Sequence, residues 1–213
     1  MAVITGVGYV SEYGYGLVKN NIIRTCTMFK DIQDFFISEK VIKEPFKNSG
    51  RFTEETKSVV IAAGCAIIDS GADVSAGSTG IFSCNINSRI DDNLRYYEDY
   101  VKGGKILARA NLFVYTLSTS ALAEAAIAFG LRGPLFTVTG EGCGTAAGLI
   151  TADDIVENDE ADAVILIAGT GDMVCAFCVE SGEGVSVDKL TDIKSNDSCT
   201  VLEKLKKYFM EDR

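Results

Sequence analysis

The stretch FGLRGPLFTVTGEGCGTAAGLITADDIVENDEADAVILIAG, residues 129–169, alternates between apolar runs and glycine-rich turns. The segment from Leu135 to Thr139 alternates like a strand, and Ala163 to Ala168 is a short apolar run typical of a strand buried on both faces. Between them, a tight turn over residues 140–144 leads into a helix over residues 145–157. A strand, a turn, a helix and a second strand in this order predict an α/β domain.

The same alternation continues outward from this stretch. Thr53 is a suitable N-cap for an alanine-rich helix that ends near Asp69-Ser70-Gly71, where glycine suits a C-cap. Strands that alternate with helices predict a mainly parallel or mixed sheet with helices on both faces. Three further strands are predicted: Ala2 to Thr5, which enters a glycine-rich turn at Gly6-Val7-Gly8, Gly80 to Cys84, and Met173 to Val179. Three further helices are predicted: a polar helix over residues 91–103, a helix of small residues over 117–129 and an amphipathic helix over 200–209. The stretch after the first turn is predicted as mixed loop and helix, with Phe29, Ile32, Phe35 and Phe36 at helical spacing.

The composition indicates one cytoplasmic α/β domain. A chain of 213 residues with 47% hydrophobic residues is long enough for one substantial core. The net charge of −10 disfavours binding to nucleic acid or to anionic membranes, and the apolar runs are too short to span a bilayer. The start of the sequence does not resemble a secretory signal. Seven cysteines at scattered spacings do not resemble a disulfide framework, so we expect them to be reduced.

The sequence contains no histidine, which removes the commonest general base and the commonest metal ligand. Two weaker motifs do not replace it. The run from Gly6 to Ser11 (GVGYVS) nearly matches a dinucleotide-binding turn, but it has serine where the third glycine belongs. Cys175 and Cys178 form a C-x-x-C without a second pair, and in a strand their side chains would point to opposite faces. We therefore expect no cofactor and no metal site.

Four segments resemble the β-ketoacyl synthase branch of the thiolase-like fold, and they occur in that family's order. Residues 3–11 resemble the family's opening strand and turn, and the stretch from Arg51 to Gly71 resembles its first long helix. FGLRGP, residues 129–134, is similar to the segment that leads into the family's nucleophile strand. EADAVILIAG, residues 160–169, is similar to the strand that follows the nucleophile helix. The resemblance therefore covers residues 1–170.

The resemblance implies that glycine occupies the nucleophile position. In that family a cysteine lies nine positions after the glycine of the Gly-Pro pair and twenty before the aspartate of a later Ala-Asp pair. Counting from Gly133 and from Asp162 leads in both cases to Gly142, whereas Cys143 lies one residue further on. Two interpretations stay open: Cys143 is a small side chain in the first helical turn, or it is a displaced nucleophile. Glu141 disfavours the second by placing negative charge beside a thiolate.

A second difference concerns the histidines. The family's C-terminal half supplies two histidines, or a histidine and an asparagine, that activate the extender unit and stabilise its oxyanion. Only 44 residues follow Gly169, and they contain no histidine. Decarboxylative condensation would therefore lack its electrostatic stabilisation. The sequence around Gly142 is instead similar to that of chain-length-factor-type subunits, which are silent relatives that pair with a true ketosynthase.

The resemblance leads to the following expectations. The fold is the N-terminal half only of a thiolase-like fold, with a mixed, mainly parallel five-stranded sheet, in which residues 1–190 form the ketosynthase-like domain and residues 191–213 an extension. The function is that of an accessory, chain-length-factor-like subunit in fatty-acid or polyketide-type acyl-chain biosynthesis, without independent condensing activity. The alternative is an acyltransferase that holds an acyl thioester on Cys143. The implied partners are a ketosynthase subunit, an acyl carrier protein, or both, with a homodimer or heterodimer formed through the strand from Leu135 to Thr139, which would otherwise be an unpaired edge.

Overall fold

The computed structural model describes residues 1–25, 28–84, 90–106, 109–140, 144–170, 173–191 and 198–211. Among these residues, the strands form one mixed sheet that is covered by helices on both faces. The strands are β1 (Val3–Ser11), β2 (Gly14–Leu17), β3 (Ile22–Arg24), β4 (Thr79–Cys84), β5 (Leu135–Val138), β6 (Ala163–Thr170), β7 (Met173–Glu180) and β8 (Val185–Ser186). The helices are α1 (Phe29–Ser38), α2 (Glu54–Ser70), α3 (Ile90–Lys102), α4 (Ala110–Val114), α5 (Ser120–Phe129), α6 (Thr145–Glu157), α7 (Asp188–Thr191) and α8 (Ser198–Glu211), with a 3₁₀ turn at Ser49–Arg51.

The strand order is β3-β2-β1-β7-β6-β4-β5, and β8 pairs with β1. Both neighbours of β4 are parallel to it, whereas β7 is antiparallel to both β6 and β1. The five central strands lie in the order β1-β7-β6-β4-β5. Four of them therefore run in the same direction, and β7 runs antiparallel to them. The prediction of a mixed α/β sheet with helices on both faces is confirmed.

The predicted count of five strands is too low, because the sheet extends beyond the central five. Among the described residues, the hairpin of β2 and β3 continues the sheet at the β1 side, and the two-residue strand β8 joins β1. This hairpin lies in a stretch that the sequence predicts as mixed loop and helix. Its strands are only four and three residues long, and Gly14, the first residue of β2, has a φ of 145°, which favours glycine. Such short strands carry too little alternation to be recognised locally.

The glycine-rich segment at Gly6 and Gly8 is not a turn, as the sequence predicts, but part of the continuous strand β1. A Cβ at Gly6 would lie 2.1 Å from the Ser70 amide nitrogen, and a Cβ at Gly8 would lie 2.3 Å from the Ala62 carbonyl oxygen. Both glycines therefore allow the backbone of α2 to pack directly on the strand. A register shift between Ile4 and Gly6 interrupts the pairing of β1 with β7 at this point.

Helix α2 confirms the predicted caps. Thr53 Oγ1 accepts a hydrogen bond from the Thr56 amide at 3.2 Å, and Gly71 closes the helix in the left-handed conformation with a φ of 73°. Its carboxyl-terminal turn carries a buried carboxylate. Asp69 accepts hydrogen bonds from the amides of Val7 on β1 and of Lys19 and Asn20 after β2, at 2.8–2.9 Å. One side chain of α2 thus holds two parts of the sheet.

The two faces of the sheet carry separate apolar clusters. On β6, Val164, Leu166 and Ala168 belong to the cluster under α6, α7 and α8, whereas Ile165 and Ile167 belong to the cluster under α1, α2 and α5. Helix α8 contributes four apolar side chains to the first cluster: Val201, Leu202, Leu205 and Phe209. The domain boundary near residue 190 stays a prediction. No described helix is long and apolar enough to cross a membrane.

Candidate functional site

The predicted nucleophile position belongs to the connection between β5 and α6, residues 139–144, which we call the corner. This connection begins at the edge of the sheet where three parallel strands end. Cys84 at the end of β4 stands opposite Val138 of β5 on one side and Ala168 of β6 on the other. Because the carboxyl ends of parallel strands meet at one edge of the sheet, the connection from β5 to α6 emerges there. Ligands of open α/β sheets bind at this kind of edge. The position of the corner therefore agrees with a site.

The described residues on both sides of the corner have a backbone suited to a sharp turn. Gly140 has a φ of 153°, which favours glycine, and Gly144 is the extended N-cap residue of α6. The amino terminus of α6 thus points toward the corner, where its amides and helix dipole favour negative charge. Glu141, Gly142 and Cys143 lie outside the described residues. The placement of glycine at the nucleophile position and the role of Cys143 therefore stay predictions.

Close packing fixes α6 against the sheet behind the corner. A Cβ at Gly148 would lie 2.7 Å from a methyl group of Leu166 and 3.2 Å from Cys84 Sγ. Next to this contact, the rings of Phe82 and Phe136 stack with their centroids 4.8 Å apart. The beginning of α6 is therefore anchored by an apolar layer, which is the rigid support that a positioned group needs.

A hydroxyl pair at the same edge was not predicted from the sequence. Ser83 Oγ donates to Thr137 Oγ1 at 3.1 Å, which joins β4 and β5 one residue before each strand ends. Serine and threonine near the ends of two predicted strands were the available signal. The pairing of those strands, which makes them neighbours, could not be read locally.

The acidic side chains of α6 lie on its outer side. Asp154 and Glu157 are exposed, and Glu157 forms an ion pair with the Met1 ammonium group. Asp153 is half-buried and accepts a hydrogen bond from the Ala2 amide at 2.7 Å. Among the described residues, the side of α6 that carries these carboxylates contacts the first two residues of the chain and is otherwise partly exposed to solvent.

The two cysteines of the C-x-x-C motif lie on opposite faces of β7. Cys175 belongs to the cluster under α6 and α8, whereas Cys178 approaches Ser70 of α2 on the opposite side of the sheet. Neither cysteine forms a disulfide, and both are buried. Within the described ranges, no group of three or more cysteine, aspartate or glutamate side chains could hold a metal ion.

We expect the buried cysteines to be unreactive in the folded protein. Burial raises the pKa of the Cys178 thiol to about 11 and also raises the pKa of Cys65. At pH 8 the ionised fraction of a thiol with a pKa near 11 is at least about a hundred times smaller than that of an ordinary thiol. Native iodoacetamide treatment should leave Cys65, Cys84, Cys175 and Cys178 unmodified, whereas treatment in urea should modify all four. Peptide mass spectrometry measures this, and rapid native labelling of Cys178 would contradict the buried geometry.

Comparison with known proteins gives matches to solved structures alone. No protein-family model and no curated protein matches the sequence. "The ishigamide ketosynthase/chain length factor" is 15% identical with a TM-score of 0.57, and the match covers 87% of this chain and 63% of that chain. A beta-ketoacyl synthase from Burkholderia phymatum STM815 is 10% identical with a TM-score of 0.53, covering 85% of this chain and 59% of that chain.

A third match is a type II polyketide synthase acyl-carrier protein in complex with its ketosynthase, AntDE:AntF. It is 15% identical with a TM-score of 0.51, and the match covers 84% of this chain and 58% of that chain. The chain therefore spans less than two thirds of the length of these structures. Identities of 10–15% establish a shared fold rather than a shared activity. Over the part that it shares with them, the chain has the thiolase-like fold of the ketosynthases.

Proposed function

We propose that the chain is an accessory, chain-length-factor-like subunit in fatty-acid or polyketide-type acyl-chain biosynthesis and does not condense by itself. Two findings support the proposal: the chain shares the fold of ketosynthase structures, and the spacing of its motifs predicts Gly142 at the nucleophile position. The 213 residues also contain no histidine, so the electrostatic stabilisation of the condensing transition state would come from outside these residues. The subunit would act in the cytoplasm.

The partner in this proposal is a ketosynthase, an acyl carrier protein, or both. One neighbouring structure is that of a ketosynthase/chain length factor, and another is that of a carrier protein bound to its ketosynthase. In this chain the beginning of α6, which is packed against the sheet, would form part of the wall of the acyl site. The ketosynthase would supply both the nucleophile and the imidazoles.

Reconstitution tests the accessory role. The chain is incubated with malonyl-loaded acyl carrier protein and acetyl-CoA, with and without a candidate partner ketosynthase. We expect no condensed product from the chain alone and a changed yield or length of product when it joins the ketosynthase. Cys143→Ala should leave that effect intact. Condensation by the chain alone, or no effect on the ketosynthase, contradicts the proposal.

Intact-mass spectrometry of the chain after incubation with acetyl-CoA distinguishes the accessory role from the alternative, an acyltransferase that holds an acyl thioester on Cys143. Transfer of an acetyl group would add its mass to the Cys143 thiol, form a new carbon–sulfur bond and release free coenzyme A. An adduct that disappears in Cys143→Ala would support the acyltransferase. The accessory subunit should show no adduct, and the four buried cysteines serve as internal controls.

We also propose that the chain pairs with its partner subunit or with a second copy through β5. This strand lies at one edge of the sheet, where Leu135 is 37% exposed and the other three residues are half-buried. Lysine on an edge strand opposes strand pairing. Leu135→Lys should therefore weaken association, measured by sedimentation, at least about tenfold. Ile23→Lys, on the opposite edge strand β3, is the matched control and should have no effect. Equal association of the two variants would contradict pairing through β5.

A further inference from the structure

The loop between α1 and α2 and the helix α5 together line an open cavity of about 280 Å³. Phe46 and Phe52 line it from the loop, and Glu124, Ile127 and Ala128 line it from α5. Ligand pockets combine apolar and aromatic walls with a few polar groups, and their volumes begin near about 300 Å³. This cavity has both kinds of lining, and its size suits a small molecule.

The phenylalanine rings of the cavity belong to a larger aromatic cluster. The Phe46 and Phe52 ring centroids lie 6.3 Å apart, and the Phe29 centroid lies 6.1 Å and 6.0 Å from them. Phe129, the last residue of α5, packs edge-on against Phe46 at 6.1 Å. Ile127, by contrast, is 77% exposed. The rings therefore form a packed apolar wall before any ligand arrives, so binding does not have to order it.

Glu124 is the polar group that gives the cavity a chemical preference. The Tyr115 hydroxyl donates to Glu124 Oε1 at 3.2 Å, and Tyr115 is itself buried. This hydrogen bond orients a carboxylate that is half-buried. Within the part of the chain that the structure describes, Tyr115 is the only hydrogen-bond or ion-pair partner of the Glu124 side chain. The second carboxylate oxygen, Oε2, is therefore available to a ligand.

The other charged groups of the lining leave the charge of Glu124 uncompensated. Glu44 and Lys47 also line the cavity, and they form an ion pair with each other at 3.2 Å. Arg51 acts electrostatically on the Tyr115 hydroxyl, but it does not line the cavity. Two acidic groups and one basic group give the lining a net charge of −1. A cation therefore complements the cavity better than a neutral or anionic molecule does.

We propose that this cavity binds a small organic cation, in which a protonated amine is joined to a compact apolar body. The ammonium group would donate to Glu124, and the apolar body would lie against Phe46, Phe52 and Ile127. Hydrogen bonds between an ammonium group and a carboxylate are among the strong ones in proteins. The net charge of −10 also attracts cations to the surface and repels anions. The inference goes beyond the accessory role and depends on neither the nucleophile position nor a ketosynthase.

Titration with 2-phenylethylammonium, followed in amide NMR spectra of the full chain, tests the cavity. We expect saturable shifts at the amides of the lining residues Asn48 and Ala128, with a dissociation constant below about 5 mM. The neutral analogue 2-phenylethanol has the same body and should bind at least about fivefold more weakly, because it cannot pair with the carboxylate. The anion 3-phenylpropionate should not shift these amides, because the carboxylate repels it.

Two pairs of variants test the charge and the apolar wall separately. Glu124→Gln keeps an oxygen that accepts from Tyr115 and removes the charge, so it should weaken binding of 2-phenylethylammonium at least about fivefold. Glu203→Gln makes the same change at an exposed glutamate of α8, on the other face of the sheet, and should have no effect. Ile127→Gln should weaken binding about threefold, whereas Ile150→Gln, at a 46% exposed isoleucine of α6, should not.

Four outcomes would overturn the inference. They are no saturable shift up to about 20 mM, shifts confined to amides outside the cavity, equal affinities of the Glu124→Gln and Glu203→Gln variants, and 3-phenylpropionate bound as tightly as the cation. The NMR spectrum of each variant also shows whether it is folded. If Glu124→Gln does not fold, the comparison of 2-phenylethylammonium with 2-phenylethanol on the wild-type chain decides the role of the charge. None of these results bears on the reconstituted activity, which uses no such ligand.

Discussion

Replacing Gly6 with alanine is expected to prevent the chain from accumulating as a folded protein. The added Cβ would lie 2.1 Å from the Ser70 amide nitrogen and 2.7 Å from the Ala66 carbonyl oxygen, and both of these are backbone atoms of α2. A side chain could rotate away from such a contact, whereas α2 can relieve it only by moving as a whole. Since α2 packs on β1, β7 and α5, we expect a loss of more than about 3 kcal/mol in the free energy of unfolding.

The measurement is the soluble yield followed by urea unfolding monitored by circular dichroism. Gly50→Ala is the matched control, because a Cβ at Gly50 meets no atom within 4 Å and this residue does not have a positive φ. The control should be as stable as the wild-type chain or slightly more stable. Equal stability of the Gly6 and Gly50 variants would show that α2 does not pack directly on β1.

Asp69→Ala is expected to destabilise the chain strongly, although less than the Gly6 substitution does. Removing this carboxylate leaves the amides of Val7, Lys19 and Asn20 without their acceptor, and the Val7 amide is fully buried. An unsatisfied buried donor costs about 1–3 kcal/mol, and the two half-buried amides can recover part of their loss through water. We therefore expect about 3 kcal/mol of destabilisation in urea unfolding.

Asp154→Ala is the matched control for this substitution, because Asp154 is an exposed aspartate on α6. Its replacement should change the free energy of unfolding by less than about 0.5 kcal/mol. Hydrogen exchange adds a local readout, since loss of Asp69 should accelerate exchange at Lys19 and Asn20 before global unfolding. Unchanged exchange at these amides would contradict the clamp that Asp69 forms between α2 and the sheet.

The titration of Asp69 gives the expected pH dependence of the same clamp. Burial raises the pKa of this carboxyl above its ordinary value, and the three amide donors oppose the rise only in part. When the pKa of a carboxyl is higher in the folded chain than in the unfolded chain, binding of the proton stabilises the fold. This stabilisation is fully present below the unfolded pKa of about 3.9, and it is lost as pH rises through the folded pKa. The stability difference between wild type and Asp69→Asn should therefore be larger near pH 4 than near pH 7.

Local signals in the sequence were sufficient for the long helices and for four of the five central strands, β4, β5, β6 and β7. Thr53 and Gly71 mark the ends of α2, and the apolar run of β6 is buried on both faces as its composition predicts. The resemblance of four segments to the β-ketoacyl synthase family implied the thiolase-like fold, which the structural matches confirm. Local patterns do not show which distant segments of the chain pair with one another, and the predictions that depended on such pairings were incomplete.

Gly6 and Gly8 illustrate that limit. A glycine that opens a turn and a glycine that admits a neighbouring helix look the same along the chain, and only the tertiary contact with α2 distinguishes them. The hydroxyl pair of Ser83 and Thr137 was missed for the same reason, since it requires the register of β4 against β5. The spacing of the motifs predicts that Cys143 stands one residue beyond the nucleophile position, and the acetyl-CoA experiment with Cys143→Ala tests whether its thiol reacts.

The position of β1 has a consequence for how the protein is made. Its neighbours in the sheet include β7 and β8, so Val3 pairs with Glu180 and Ser186, and these contacts join segments that lie far apart in the sequence. During translation β1 leaves the ribosome long before those strands are synthesised, and its apolar side chains remain without them until then. High contact order of this kind slows folding, so nascent chains of this protein should depend on chaperones more than a helical bundle of equal length does.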